Sequence, residues 1–205
     1  MATILDKPPA SVATHLTSLT AALDQLPAQG GTLSLVGSFA PFRLVPGAYD
    51  AMPPQLQLLA DLAPADPVGT AALVAEVAAP WVQDPDTFGL GGEMPPEDQA
   101  VESHPEWGPN LRAQIREGLR RADGIAWDAA VLYGDWGFAV DTVRQPTDVW
   151  HGTVDAVTPF LNGEWLARTL PDATLHQVLG GHFIFYSHWR DIISALVARI
   201  PGSSA

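Results

Sequence analysis

The spacing of apolar positions changes along this chain, and the changes mark its elements. Three short runs carry the apolar, β-branched character of strands: Thr32 to Val36, Asp148-Val149-Trp150-His151, and Thr174 to Leu179. Elsewhere the apolar residues return at helical spacing. A helix is predicted from Ser11 or Ala13 to Leu26, with Leu16, Leu19 or Thr20, Leu23 and Leu26 on one side. Others start at Pro53-Pro54, with Leu56, Leu59 and Leu62, and run over Gly69 to Ala79, Pro109 to Arg121 and Ala122 to Tyr133. Leu111, Ile115 and Leu119 repeat at four-residue steps in the third of these. Phe183 to Ile200 reads as a last helix whose wide apolar face holds Phe185, Trp189, Ile192, Ile193, Leu196 and Ile200. Pro80 to Pro96 reads as irregular. Thr3-Ile4-Leu5 could form a short strand, which Pro8-Pro9 would end.

The stretch from Thr147 to Phe183 parses as strand, loop, helix, strand, loop. Thr158 is the expected N-cap and Pro159 the expected first helical residue, followed by Phe160, Leu161, Trp165, Leu166 and Leu170. Pro171 stops the helix, and Gly180-Gly181 turns the chain into His182. Strands joined by a helix in one sheet run parallel, so their carboxyl ends share an edge. Asp155 and His182 each fall just past such an end, where open α/β sheets build their sites. A carboxylate that accepts a hydrogen bond from an imidazole fixes its tautomer and steadies the imidazolium. The glycines before His182 would let the backbone approach closely.

Two segments here, His151-Gly152-Thr153-Val154-Asp155-Ala156-Val157-Thr158-Pro159 and Gly180-Gly181-His182-Phe183, resemble the acid and base segments of the α/β-hydrolase fold superfamily. The resemblance extends to Trp136-Gly137-Phe138 and Phe39-Ala40-Pro41-Phe42 and covers the chain from roughly residue 30 onward. It implies an α/β fold: a small parallel sheet, formed by the last strands of that fold, with a helical lid inserted between strands. Residues 1–44 and 134–205 would form the partial core and 45–133 the lid. Asp155 and His182 would be the catalytic acid and base.

The family's nucleophile sits in a strand, a sharp G-x-S-x-G turn and a helix. No segment here meets that pattern. Ser11 lies in Pro9-Ala10-Ser11-Val12-Ala13, with Pro9 and Ala13 at the glycine positions. Ser38 follows a strand but is flanked by Val36 and Ala40 and leads into Pro41, and Asp6 has Ile4 and Pro8 around it. The nucleophile is therefore either Ser11 or a residue of a segment outside this chain. Two functions remain open. One is hydrolysis of an ester or amide-type bond of a small apolar substrate. The other is a truncated or degenerate hydrolase half without activity of its own, associating through an exposed sheet edge at Thr32 to Val36.

Within the expected lid, Trp81 and Phe88, with Trp136 and Phe138 beyond it, are candidates to line an apolar substrate pocket, although single aromatics more often serve as core. Composition narrows the partners. The 205 residues are 47% apolar and include no cysteine, so a core can form, while disulfides and thiolate sites are excluded. The net charge of −13 disfavours nucleic acid and anionic membranes as partners. No Lys or Arg occurs between Arg43 and Arg112, an interval with eleven Asp and Glu that reads as a solvated acidic surface. The histidines show no metal-ligand spacing, so neither metal nor cofactor is expected. With no apolar leader at Met1 to Ala10, the expected location is cytoplasmic.

Overall fold

A computed structural model describes residues 31–52, 54–88 and 94–199. The expected elements before Leu26, with Ser11 and Asp6, lie outside the described residues. In chain order the elements are β1 (Leu33–Val36), α1 (Pro54–Leu62), α2 (Pro67–Gln83), α3 (Pro96–Ser103), α4 (Trp107–Gly118), α5 (Ala122–Tyr133), β2 (Thr147–Gly152), α6 (Leu161–Thr169), β3 (Ala173–Val178) and α7 (Ile184–Ala198). They fall into two compact units. One holds residues 41–88 and 109–137, and the other holds 31–40, 94–108 and 138–199. The stretch 94–108, inside the interval read from the sequence as lid, thus groups with the sheet.

In the helical unit, α2 packs along α5. Ala71, Ala126 and Ala130 form the buried seam, and their small side chains let the helices approach, with Val74, Ala75 and Trp127 closing around them. Asp66 caps α2, its carboxylate accepting from the Gly69 amide at 2.8 Å. Phe42 stacks on Tyr133 with ring centroids 5.2 Å apart.

The sheet unit has three parallel strands in the order β1-β2-β3. β2 is central and buried along its whole length, because helices cover both faces. Alternation along the strand sends Asp148 and Trp150 to one face and Val149 and His151 to the other. On the first face Trp150 packs with Ile184 and Ile192 of α7, joined by Val36, Val178 and Ala195. On the second, His151 lies against Gly163 of α6, where a β-carbon would come within 2.6 Å of the imidazole.

Burying Asp148 in a strand needs compensation, and two side chains supply it. Arg199 donates through Nε to one oxygen at 2.6 Å and through Nη2 to the other at 2.9 Å, and His176 Nε2 lies 2.7 Å from the latter. His176 also stacks flat on Trp150, with centroids 4.0 Å apart. Burial opposes ionisation of Asp148, but Arg199 and His176 outweigh it and hold the carboxyl below its usual range. This cluster ties the end of α7 to the sheet.

Three local expectations need correction. α6 begins at Leu161 rather than Pro159, with Phe160 as its N-cap, because the Thr158 side chain bonds elsewhere. α2 runs on through Pro80, which occupies the last turn. α3 begins at Pro96, where the stretch read as irregular ends, and occupies residues for which no element was predicted; its start, Pro96 followed by Glu97 and Asp98, is a helix-start signal.

Neighbouring isoleucines test the packing of α7. Ile192 is 2% exposed and Ile193 41% exposed. Ile192→Ala should cost about 2–5 kcal/mol and Ile193→Ala below about 1 kcal/mol in urea denaturation.

Candidate active site

The loops after β2 and β3 meet at one carboxylate. Asp155 follows β2 by three residues, and its side chain is fully buried. The loop folds back on it: Oδ1 accepts from the Val157 amide at 2.9 Å and the Thr158 amide at 2.7 Å. This is the habit of an Asp that caps its own turn. Oδ2 lies 2.7 Å from the Thr158 hydroxyl and 3.0 Å from His182 Nδ1. The carboxylate therefore has four donors within reach, two on each oxygen. Burial alone would raise its pKa. The hydrogen bond and charge of His182, with the hydroxyl and amide of Thr158, prevail and hold it below the usual carboxylate range.

Thr158 links three segments. Its hydroxyl also lies 2.9 Å from the Gly37 carbonyl oxygen and 3.2 Å from His182 Nδ1. A hydroxyl has one proton, so Asp155 Oδ2 and Gly37 O compete for it. Gly37 ends β1 with φ at +55°, and a β-carbon there would stand 3.4–3.6 Å from His182 and Asp155. The backbone conformation, more than crowding, calls for glycine.

His182 presents an imidazole that is one quarter exposed, with Nδ1 turned to Asp155. An ionised carboxylate only accepts, so Nδ1 carries the proton of the neutral ring and Nε2 has the free lone pair. Among the described residues no hydrogen bond reaches Nε2. Gly180 and Gly181 serve close approach, as their spacing suggested: a β-carbon at Gly180 would strike Ile184 at 2.7 Å and one at Gly181 would strike Asp98 at 2.2 Å. Neither has a positive φ.

A second imidazole lies beneath. His151 is buried, and its Nε2 donates to the Thr158 carbonyl at 2.6 Å. The same nitrogen is 3.6 Å from Asp155 Oδ2. It therefore props the turn that holds Asp155.

The sequence-predicted residues separate into groups. Asp155 and His182 come together, and Phe138 belongs to the same unit. Trp81, Phe88 and Trp136 belong to the helical unit, where Trp81 and Phe88 meet edge to face at 5.2 Å and Trp136 donates to the Leu132 carbonyl at 3.3 Å. Ser11 lies outside the described residues. The sequence reading missed Thr158 and Gly37 as neighbours of the pair, and it counted Asp98 among surface acids although it is 1% exposed. The T/S-x-x position three residues after Asp155, and the glycine ending β1, were the available signals. Among the described residues, no group of three or more His, Asp or Glu could hold a metal ion, and no helix is long and apolar enough to cross a membrane.

The lowered pKa of Asp155 has a consequence for stability. A carboxyl whose folded pKa lies below its unfolded value stabilises the fold above the unfolded pKa, about 3.9, and loses that contribution as pH falls through the folded value. Asp155→Asn should therefore be less stable than wild type by a constant margin at neutral pH. In urea titrations the margin should narrow only under strongly acidic conditions.

No protein-family model matches the chain. Two curated relatives do, both pimeloyl-[acyl-carrier protein] methyl ester esterases. That of Aromatoleum aromaticum is 48% identical over 58 residues, covering 28% of this chain and 23% of the relative. That of Chromobacterium violaceum is 37% identical over 85 residues, covering 41% and 32%. The matches thus span only about a quarter to a third of the relatives' length. Among solved structures, a hydrolase from Pseudomonas aeruginosa superposes with a TM-score of 0.53 at 20% identity over 95% of this chain and 73% of that one. An esterase from Exiguobacterium antarcticum gives 0.50 at 18% identity over 92% and 73%. With parallel strands in this order, the described residues have a partial α/β-hydrolase fold.

Proposed function

We propose that Asp155 and His182 are the acid and base of an ester-hydrolysing site acting on a small apolar acyl ester. The observation that carries this reading is the contact of His182 Nδ1 with a fully buried carboxylate at 3.0 Å, on an imidazole that remains one quarter exposed. The esterase names of the curated relatives favour an ester over an amide. In the reaction, Nε2 takes the proton of the attacking hydroxyl as that oxygen bonds to the acyl carbon. Asp155 steadies the imidazolium, and Nε2 then gives the proton to the departing alkoxide. The attacking hydroxyl belongs to a nucleophile outside the described residues, Ser11 or a residue of another segment, or to water.

Hydrolysis of p-nitrophenyl acetate by wild type, His182→Ala and Asp155→Asn tests this. His182→Ala should lose about 10²–10⁴-fold of the rate above background. Fluorophosphonate labelling with peptide mapping identifies the nucleophile, and Ser11→Ala should abolish the label if Ser11 carries it. Equal rates in wild type and His182→Ala would remove His182 from the chemistry.

A second reading has one observation in its favour. β1 is the edge of the sheet, paired only with β2 among the described residues, and such an edge invites another strand. On this reading the chain is a non-catalytic hydrolase half that self-associates. Size-exclusion chromatography should then give a dimer or larger species, with no turnover that depends on His182. A stable monomer would exclude it.

A further inference from the structure

Asp98 stands apart from the other acids of its interval. It lies in the first turn of α3, is 1% exposed, and has both carboxylate oxygens engaged by backbone amides. Oδ2 accepts from the His182 amide at 2.8 Å, and Oδ1 accepts from the Phe183 amide at 2.9 Å. These two amides open α7, whose N-cap is Phe183 and which has no side-chain cap of its own. A carboxylate from a helix distant in sequence thus does the work of a cap and meets the positive end of the α7 dipole.

The placement bears on chemistry because of which amide is held. Asp155 fixes the ring of His182 from Nδ1, and Asp98 fixes its backbone nitrogen. With both ends of one residue tethered by buried carboxylates, the imidazole has little freedom to leave the lone-pair direction that a base requires. The loop is shaped to admit the second tether. At Gly181 a β-carbon would lie 2.2–2.4 Å from all three atoms of the Asp98 carboxyl group, so the glycine is the space in which that carboxyl sits.

We infer that Asp98 is a positioning residue for His182, setting the orientation of the imidazole through the backbone rather than touching the reacting atoms. The inference rests on His182 acting as the base proposed above, but its structural part can be read without turnover. Asn at this position keeps the shape, yet turns an NH2 group toward an amide N–H and removes the charge.

The test compares wild type, Asp98→Asn, Gly181→Ala and Glu97→Gln in the full chain. Glu97→Gln makes the same charge change in the same turn of α3 and accepts from neither amide. Amide exchange at His182 and Phe183 and the Nδ1 proton resonance of His182 are followed by NMR, and kcat and KM on p-nitrophenyl acetate are measured alongside. Asp98→Asn should lose exchange protection at both amides, shift or broaden the Nδ1 proton, and lower kcat about tenfold or more with KM little changed. Gly181→Ala, which pushes the carboxyl away without altering its charge, should give the same pattern, and Glu97→Gln should match wild type. If Asp98→Asn does not fold, Gly181→Ala alone decides. An unchanged Nδ1 resonance in folded variants that have lost amide protection would overturn the inference and leave Asp98 as a helix cap only. If wild type shows no turnover, the catalytic proposal fails while the NMR comparison still decides whether Asp98 orients the ring.

Discussion

The buried carboxylate of Asp155 is the constraint that the sheet unit is arranged to satisfy. A charge withdrawn from water costs several kcal/mol unless donors replace the water, on the order of magnitude found for buried ions generally. Here the replacements come from two places in the chain: the Asp155 turn itself and the loop after β3. Gly37, at the end of β1, competes for the same threonine hydroxyl. The carboxyl ends of all three strands therefore converge on one group. If any one of them moved, a polar atom would be left without a partner in a dry interior.

The same logic operates at Asp148, near the start of β2, with a different result. There an arginine and a histidine occupy both oxygens, and the arginine is never neutral at ordinary pH. With Arg199 on both oxygens, that cluster holds the end of α7 to the sheet. Asp155 has no arginine: its donors are two backbone amides, a hydroxyl and an imidazole that is partly open to solvent. β2 and the loop after it thus carry two buried carboxylates, one clamped by an arginine and one set in a turn against a partly exposed imidazole.

A third buried carboxylate shows how composition misleads. The chain carries a net charge of −13, and the interval between Arg43 and Arg112 is acidic throughout. A count of residues treats all of its acids as solvated. Asp98 is one of them, yet it is 1% exposed and bound to the two amides just before α7. A carboxylate needs donors, and backbone amides at a helix start are donors that no composition records.

Among the described residues, the sequence by itself determined the three strands, nearly all the helices and the meeting of Asp155 with His182. Each of those rests on local information: apolar spacing, proline and glycine stops, and the rule that parallel strands joined by a helix end on one edge. Even close approach at Gly180 and Gly181 was legible, because a missing β-carbon is a property of the residue itself. Tertiary structure decided what the polar side chains do. Thr158 has the residue type and position of an N-cap, but the carboxylate of Asp155 and the carbonyl of Gly37 draw its hydroxyl away, and α6 starts later. α3 escaped notice because it is short and carries few apolar residues at helical spacing, and with it went Asp98. Apolar burial repeats along the chain with the period of the backbone. A hydrogen bond between Asp98 and His182, 84 positions apart, has no period, and only the folded chain brings its donor and acceptor together.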